Sequence, residues 1–412
     1  MQTPGRFQKS ATATPPKSGG RDRGPIVLVG ASARAAAESA QIAGFSPIVI
    51  DQFGDRETVA SAHQWHSLDE IRVSDTTAML DRIVGDTPIA IVGGLQGGYQ
   101  WLAPSGLAPS GLAPSGLAPS GLARSGLAPS GRRFLGASPA QFTNCDDVVF
   151  LRELAARAAV RFPESRRNGG TKPGWLVKHR ASSGGLGVSY CESGGPIPDG
   201  AILQQPVRGP ICGASFFGLG DRALLLGVCR LLKKRIGPYP FVFAGALGPI
   251  PISIEVCNSL RRLGTAFCSA APIFGPFNID VAIQHDSVTL LEVNPRWSAS
   301  MELVERAWSE ASDEPCSMFD RPADWERRVG QSSQDPGESF CVGKTTFLKR
   351  VLFARADRTI SPADFDRQTR SGRWEWKDVP RRPTQLNRHE PLATLITRLD
   401  RMSLRSAFRV IV

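Results

Sequence analysis

The stretch 277–302 constrains this chain most strongly, because its pattern predicts a β-hairpin that carries two acids on one face. Two apolar-rich runs flank the turn-forming sequence Gln-His-Asp-Ser. With a three-residue turn, Gln284 pairs with Val288, and Asp280 falls opposite Glu292. The hairpin is therefore the first place to look for chemistry.

Two facing carboxylates repel each other across a hairpin, at a cost of roughly 0.2–1 kcal/mol. A divalent cation between Asp280 and Glu292 would remove that cost. Asn294 lies two residues further on and shares their face, so the pattern offers two carboxylates and an amide oxygen. These are hard ligands that suit Mg²⁺ held jointly with phosphate oxygens. A surface hairpin with solvated acids fits the same spacing equally well.

The bulk composition predicts a multidomain protein without membrane or disulfide chemistry. The chain has 412 residues, 41% of them hydrophobic, which is enough for two or three domains. It contains neither an apolar run of about 18 residues nor an apolar signal segment. Its eight cysteines are scattered, without Cys-x-x-Cys or Cys/His zinc spacing, which favours reduced thiols. We therefore expect a cytoplasmic protein.

The net charge of +11 is concentrated at the two ends of the sequence. Residues 1–24 carry +4, residues 343–412 carry +9, and residues 25–342 sum to −2. Basic ends can contact nucleic acid or anionic surfaces. The lack of a nucleic-acid-binding motif favours solvated faces instead, so neither nucleic acid nor membrane is expected as a partner. The oligomeric state stays open, with a homodimer as one option.

Residues 25–101 predict a small α/β domain that follows a disordered basic tail, residues 1–24. Strand, small-residue turn, helix and strand follow one another as in a βαβ unit. Ligands of such sheets bind at the carboxyl ends of strands. The candidate substrate contacts there are the loop 93–98, Ser32 (also a plausible helix N-cap), Arg34 and Asp51.

The same unit has a second interpretation as a dinucleotide-binding fold. Asp51 lies 21 residues after Gly30, near the spacing of a ribose-binding acid. However, the turn reads Gly-x-Ser-x-Arg and lacks the glycine fingerprint.

Residues 102–131 consist of six copies of Leu-Ala-Pro-Ser-Gly, one with Arg124 in place of proline. A five-residue period with recurring Pro and Gly fits neither helix nor strand, and predicts an inert loop expansion. Residues 132–309 then form a second predicted domain, 310–338 a polar linker, and 339–412 a small β-rich basic region.

A glycine-rich loop follows a predicted strand that ends at Lys178. Successive backbone N–H groups in the sequence Ser-Ser-Gly-Gly-Leu-Gly-Val, residues 182–188, can wrap phosphate oxygens. Lys178 can add a positive charge at the foot of the loop. The loop therefore indicates phosphate binding, although many glycine-rich hairpins bind nothing.

Several motifs, in this order and rough spacing, resemble the ATP-grasp superfamily over about residues 25–308. They are Lys178, the 182–188 loop, Gln-Gln-x-Val-x-Gly, Asp280 and Leu-Glu-Val-Asn-Pro-Arg. Gly-x-Ser-x-Arg, Asp-x-Phe-Gly-Asp and Asn-Pro-Arg-Trp-Ser-Ala-Ser-Met-Glu are similar to a group of predicted ATP-dependent carboligases, grouped with methanopterin-linked one-carbon genes.

The resemblance implies a mixed α/β and α+β fold. A Rossmann-like (pre-ATP-grasp) domain precedes a two-lobed ATP-grasp domain and a small β-rich C-terminal region. It implies a ligase that uses ATP and Mg²⁺ (or Mn²⁺) to join a small-molecule carboxylate to an amine or other nucleophile. The carboxylate becomes an acyl phosphate, and ADP and phosphate leave.

The resemblance also assigns roles to individual residues. The ATP phosphates are contacted by Lys178, Ser182, Ser183, Gly184, Gly185, Gly187 and Val188. The adenine pocket is lined by Gln204, Gln205 and Val207, and Mg²⁺ is held by Asp280, Glu292 and Asn294. Arg296 and Asn278 face the γ-phosphate or the acyl phosphate, with Arg296 and Lys178 as the catalytic residues.

Two positions depart from the family pattern. Gln205 stands where an acid is usual at the adenine hinge, and an earlier ATP-binding lysine is not evident, with Arg152 as the nearest basic candidate. Two other functions stay open: a non-catalytic ATP-binding regulatory protein and a nicotinamide-dependent oxidoreductase. The intact acid pair argues against the first, and the missing glycine fingerprint argues against the second.

Overall fold

The computed structural model describes residues 22–73, 81–95, 102, 133–179, 182–192, 194–331, 340–343, 345–366 and 374–399. Most of the predicted basic tail and of the Leu-Ala-Pro-Ser-Gly repeat lies outside these residues. The helices are α1 Arg34–Ile42, α2 Arg56–Ser61, α3 Leu68–Val73, α4 Pro139–Cys145, α5 Val148–Arg157, α6 Ile254–Ala270, α7 Met301–Ser312, α8 Pro322–Gln331 and α9 Pro362–Asp366. Within the described part of the chain, no helix has the length and apolar character needed to cross a membrane.

Within the described residues, the strands form four sheets. In chain order they are β1 Pro25–Val29, β2 Ser46–Asp51, β3 Gln64–Ser67, β4 Ile89–Ile91, β5 Ser165–Arg166, β6 Leu176–His179, β7 Val188–Tyr190, β8 Ala201–Gln204, β9 Ile211–Gly220, β10 Ala223–Ile236, β11 Tyr239–Gly248, β12 Ile273–Gln284, β13 Ser287–Asn294, β14 Thr346–Phe353, β15 Arg358–Ile360, β16 Glu375–Lys377, β17 Thr384–Leu386 and β18 Pro391–Leu399.

The N-terminal sheet is parallel, with strand order β3-β2-β1-β4, which confirms the predicted βαβ unit. Its apolar strands are buried, and α1 contributes an alanine-rich face to the core. The predicted N-cap was wrong by one residue. Ala33 precedes α1 and makes no side-chain cap hydrogen bond, whereas Ser32 is exposed in the preceding turn.

Two antiparallel sheets follow. The small sheet has the order β5-β8-β6-β7, and the large sheet has the order β13-β12-β9-β10-β11-β14-β18-β16. Helix α6 covers the large sheet through an aromatic cluster. The Phe216 and Phe277 rings stack with centroids 5.0 Å apart, and Phe267 lies 5.0 Å from Phe277. The glycine-rich loop connects β6 and β7 of the small sheet, and the acid-bearing hairpin forms one edge of the large sheet.

The C-terminal strands extend the large sheet. Strand β14 pairs with β11 over residues 347–350, and β18 and β16 add to it in turn. The described β-rich region beyond residue 339 therefore shares a sheet with the central part of the chain, apart from the small β15–β17 pair.

The stretch 310–338, predicted to be a polar linker, is helical over Pro322–Gln331, so that prediction was wrong there. Trp325 on this helix is fully buried. Its ring meets Trp308 edge-on at 5.7 Å between centroids and lies 6.3 Å from Phe217. One large apolar side chain therefore docks a helix whose other residues are mostly polar, which a window average of hydropathy does not reveal.

We predict that Trp325→Ala lowers the free energy of unfolding by about 3–5 kcal/mol, because it opens a cavity under α8. Urea denaturation measures the effect. Arg327→Ala on the same helix is the control, since the Arg327 side chain is 48% exposed and should change stability by less than about 0.5 kcal/mol. A Trp325→Ala protein as stable as the control would show that α8 is not docked.

Candidate functional site

The hairpin of β12 and β13 brings Asp280 opposite Glu292, as predicted, although its turn is shorter than expected. The turn has two residues, so Gln284 pairs with Ser287 and not with Val288. A β-bulge next to Asp280 then shifts the register by one residue and restores the predicted pairing at the acids. The predicted pairing was therefore wrong at the turn and right at the site.

Amide groups bridge the facing carboxylates. The Asn294 amide nitrogen donates to Asp280 Oδ2 at 3.3 Å and to Glu292 Oε1 at 3.2 Å. Asn278, which pairs with Asn294 across the hairpin, donates from Nδ2 to Asp280 Oδ1 at 2.6 Å. The three residues predicted to hold a metal are thus within direct contact of one another.

Two cations lie next to this group. Lys178 Nζ lies 3.6 Å from Glu292 Oε2 and also donates to Gln204 Oε1 at 3.4 Å. Arg296 Nη2 donates to Asn294 Oδ1 at 2.8 Å, and its Nη1 donates to Ser298 Oγ at 3.0 Å. A lysine from the small sheet and an arginine beyond the hairpin therefore converge on the same acids.

The electrostatics of the acid pair favour a bound cation. Burial, followed by the nearby Glu292 charge, raises the pKa of Asp280 well above its usual value. Burial alone would raise the pKa of Glu292 as well, but the Lys178 ammonium, the hydrogen bonds with Asp280 and Asn294 and the Arg296 charge together outweigh burial and lower the pKa of Glu292. One carboxylate is thus held ionised beside another that is costly to ionise, and a cation between them would offset that cost.

The donor set fits a hard divalent cation, and the Asn294 amide must turn over to complete it. Among the described residues no third His, Cys, Asp or Glu joins the pair, so further ligands must be amides, water or a bound substrate. Asn294 presents its amide nitrogen to the acids while its oxygen accepts from Arg296. Its oxygen would reach a cation only after the amide turns over, which would break the bond to Arg296.

The glycine-rich loop folds against β11. Gly184 and Gly185 have φ of +64° and +80°, and the Phe243 N–H donates to the Gly184 carbonyl at 2.9 Å. A Cβ at Gly185 would lie 2.1 Å from the Phe241 carbonyl oxygen. Ser182 Oγ closes the base of the loop by donating to the His179 carbonyl at 2.6 Å.

Gly94, at the carboxyl end of β4, is where the loop, the hairpin and the N-terminal sheet meet. A Cβ there would lie 2.5 Å from Ser183 Oγ and 3.4 Å from Arg296 Nη2. A Cβ at Gly93 would lie 3.2 Å from the Ser32 carbonyl oxygen. Ser32 is therefore near the site, and residues 96–98 of the predicted 93–98 loop lie outside the described residues.

Two predicted substrate contacts were wrong. Arg34 is 1% exposed, and its guanidinium is bonded to Glu302, Glu38 and Asp378. Asp51 is fully buried and accepts from the Trp65 indole N–H at 2.8 Å and from two backbone N–H groups. Both side chains hold the fold together, so neither offers surface to a substrate.

The residues predicted to line the adenine pocket are arranged around β8. The Gln204 side chain is buried and donates to Ser165 Oγ at 3.1 Å, while the exposed Gln205 has its N–H bonded to the Glu164 carbonyl. Val207 is half-buried, and Val188 pairs with Lys178 between β7 and β6. Arg152 donates to the Ser165 carbonyl at 3.2 Å, so it lies beside this group.

Lys349 was not predicted as a site residue, although its ammonium contacts the segment between Arg296 and α7. Lys349 lies on β14, and no motif surrounds it. Glu302, which it also contacts, was quoted only as the last residue of a motif. The pairing of β14 with β11 brings Lys349 near the site, and a local sequence pattern does not predict that pairing.

Comparison with known proteins supports the same fold. Residues 145–300 match the family model of the ATP-grasp domain. No curated protein sequence matches the chain. Among solved structures, the L-amino acid ligase from Bacillus licheniformis is similar, with a TM-score of 0.60 at 9% identity, covering 95% of this chain and 97% of that one.

Two other solved structures are similar over most of their length. The N5-carboxyaminoimidazole synthetase from Staphylococcus aureus, complexed with ADP, has a TM-score of 0.59 at 12% identity and covers 95% of this chain and 97% of that one. The phosphoribosylglycinamide synthetase from Anaerococcus prevotii has a TM-score of 0.55 at 12% identity, with 94% and 97% covered. The fold is therefore the mixed α/β fold of ATP-grasp proteins. The finer resemblance to methanopterin-linked carboligases stays a prediction.

We predict that Gly185→Ala detaches the glycine-rich loop from β11, because the new Cβ would collide with the Phe241 carbonyl. Hydrogen exchange at the Phe243 amide should become at least tenfold faster. Gly184→Ala is the matched control, since it also has positive φ but meets no atom within 4 Å. Equal exchange in the two variants would contradict the close contact with β11.

Proposed function

We propose that this chain, with its ATP-grasp domain match over residues 145–300, is an ATP- and Mg²⁺-dependent ligase. It activates a carboxylate as an acyl phosphate and transfers the acyl group to an amine or other nucleophile. The observation that carries the proposal is the convergence of Lys178 and Arg296 on the Asp280–Glu292 pair, beside a glycine-rich loop. Similar structures include proteins named as ligases and synthetases, one of them complexed with ADP.

Different residues bind different parts of ATP and its metal ion. Lys178 and the loop 182–188 bind the phosphates, and Gln204, Gln205 and Val207 border the adenine. Asp280 and Glu292, with the Asn294 oxygen after the amide turns over, would hold Mg²⁺. When bound, the ion neutralises charge on the phosphate oxygens.

The reaction proceeds in two displacements. A carboxylate oxygen of the substrate attacks the γ-phosphorus, and the bond from that phosphorus to the ADP oxygen breaks. The nucleophile then attacks the acyl carbon, and inorganic phosphate leaves with its bridging oxygen. Arg296 and Lys178 supply fixed positive charge to the transferring phosphoryl group, so no protein nucleophile is required.

The two departures from the family pattern concern affinity and not chemistry. Gln205 is exposed at the expected hinge, where backbone groups can still bind adenine. Arg152 lies beside Ser165, which is bonded to Gln204, and could serve in place of the missing lysine.

We predict that Glu292→Gln weakens MgATP binding at least tenfold, because it removes one of the two carboxylates that hold the metal. Isothermal titration with and without Mg²⁺ measures the change, which should vanish when the metal is removed. Asp286→Asn, at the turn of the same hairpin, is the control and should bind MgATP like the parent. Parent-like affinity in Glu292→Gln would refute the metal assignment.

Turnover separates a ligase from a non-catalytic ATP-binding regulator. Pools of carboxylates and amines are screened for release of ADP and phosphate, and hydroxylamine is added to trap the acyl phosphate as a hydroxamate. A ligase should yield ADP only with its carboxylate. A protein that binds MgATP but forms neither ADP nor hydroxamate with any pool would support the regulatory function instead.

A further inference from the structure

A buried ion network contacts the segment that follows Arg296 in the sequence. Only five residues separate Arg296 from Glu302 in the first turn of α7, and Glu302 is 4% exposed. The segment 296–300 joins the proposed phosphate-binding arginine to this helix. Contacts that hold the Glu302 side chain in place therefore also restrict the backbone of the segment just after Arg296.

Glu302 is held by groups from distant parts of the sequence. Arg34 of α1 donates to both of its oxygens, from Nη1 at 2.6 Å and from Nη2 at 3.1 Å. Lys349 of β14 donates to Oε2 at 2.7 Å. A bidentate guanidinium contact fixes direction as well as distance, and burial protects it from screening by salt. Three elements thus converge on one carboxylate.

The segment itself is attached at two further points. Lys349 Nζ also donates to the Ala299 carbonyl at 3.2 Å, so one ammonium connects the segment with Glu302. The Gly93 N–H donates to the Trp297 carbonyl at 3.0 Å, which ties the segment to the end of β4. The position of Arg296 therefore depends on contacts with both the N-terminal sheet and the C-terminal strands.

The surrounding charges belong to the same network but lie farther from the segment. Arg306 pairs with Glu375 at 2.6 Å, and Lys377 contacts Glu375 at 3.0 Å and Glu38 at 2.8 Å. Glu375 is thus paired with two cations of the same network, but its side chain is 44% exposed, and within the described part of the chain it makes no hydrogen bond or ion pair with residues 296–300. It provides a control for the loss of a paired carboxylate elsewhere in the network.

We propose that Arg34, Glu302 and Lys349 are positioning residues that set Arg296 toward the γ-phosphate of ATP. This inference rests on the proposed function, in which Arg296 binds that phosphate. Buried ion pairs often add little net stability compared with apolar packing, and fixing a geometry is their best-attested use. Here the geometry that they fix is that of the segment carrying Arg296.

The discriminating measurement is the ratio of MgADP to MgATP dissociation constants. A residue that acts through Arg296 affects only the nucleotide with a γ-phosphate, whereas general loosening affects both. We expect Glu302→Gln to weaken MgATP binding about tenfold and to leave MgADP binding within about twofold. Arg34→Lys should act in the same direction, because lysine keeps the charge but loses the bidentate contact. Glu375→Gln should leave the ratio unchanged.

All variants are titrated at a temperature at which their melting curves show a folded protein. Should Glu302→Gln fail to fold, Arg34→Lys and Glu375→Gln carry the comparison. An equal loss of MgATP and MgADP affinity, or no loss of either, would overturn the positioning role. A change of the ratio in Glu375→Gln as large as in Arg34→Lys would overturn it too.

Arg296→Met separates this inference from the proposed function. If Arg296→Met keeps the parent's ratio, the proposed role of Arg296 fails, and the inference fails with it. If it lowers the ratio, the double variant Arg296→Met/Glu302→Gln should lower it no further. Additive effects in the double variant would show that Glu302 acts independently of Arg296.

Discussion

The register between β12 and β13 is the constraint on which the site depends. A shift of one residue would turn Asp280 to the opposite face of the sheet from Glu292. The two-residue turn sets one register, and the bulge beside Asp280 changes it just before the acids. Without the bulge, the register set by the short turn would place Asp280 opposite Leu291 and not opposite Glu292. The bulge is therefore part of the site, in keeping with the frequent occurrence of bulges beside active sites.

The large sheet extends this local constraint across the molecule. Strand β12 pairs with β9, and pairing continues through β10 and β11 to β14. The acids are thus presented at one edge, while Lys349 reaches the segment beyond Arg296 from the fourth strand past β12. The glycine-rich loop contacts β11 in the middle of the same sheet. A single sheet therefore sets the relative positions of the acid pair, the loop and the network behind Arg296.

The sequence predicted the features that local patterns encode. The hairpin, the glycine-rich loop after Lys178 and the βαβ unit each occupy a short stretch with a clear period or turn chemistry, and all three are present. Trp325 was not predicted as a core residue, because one buried side chain docks a helix that is otherwise polar. The shift at the bulge was missed because Leu290 and Leu291 are both apolar, which conceals the change of phase in the alternating pattern.

Arg34 shows why local sequence patterns do not predict contacts between residues that are distant in the sequence. It follows the carboxyl end of the parallel strand β1, where ligands of such sheets are expected, but its partner Glu302 is 268 residues away. An arginine at that edge can bind a substrate or a buried acid, and only the packing of α1 against α7 decides between them. Asp51 is similar, because the Trp65 indole N–H and two backbone N–H groups satisfy its carboxylate inside the domain.

The ion network around Arg34 holds the segment that carries Arg296 in place, and it has little net charge. Among the described residues, its four cations are matched by four carboxylates: Arg34, Arg306, Lys349 and Lys377 against Glu38, Glu302, Glu375 and Asp378. A balanced group of this kind has a field that decays faster with distance than that of a single charge. The field at the acid pair is then dominated by the nearer cations, Lys178 and Arg296. The segment carrying Arg296 can thus be held by strong ionic contacts without cancelling the positive charge that a phosphoryl group requires.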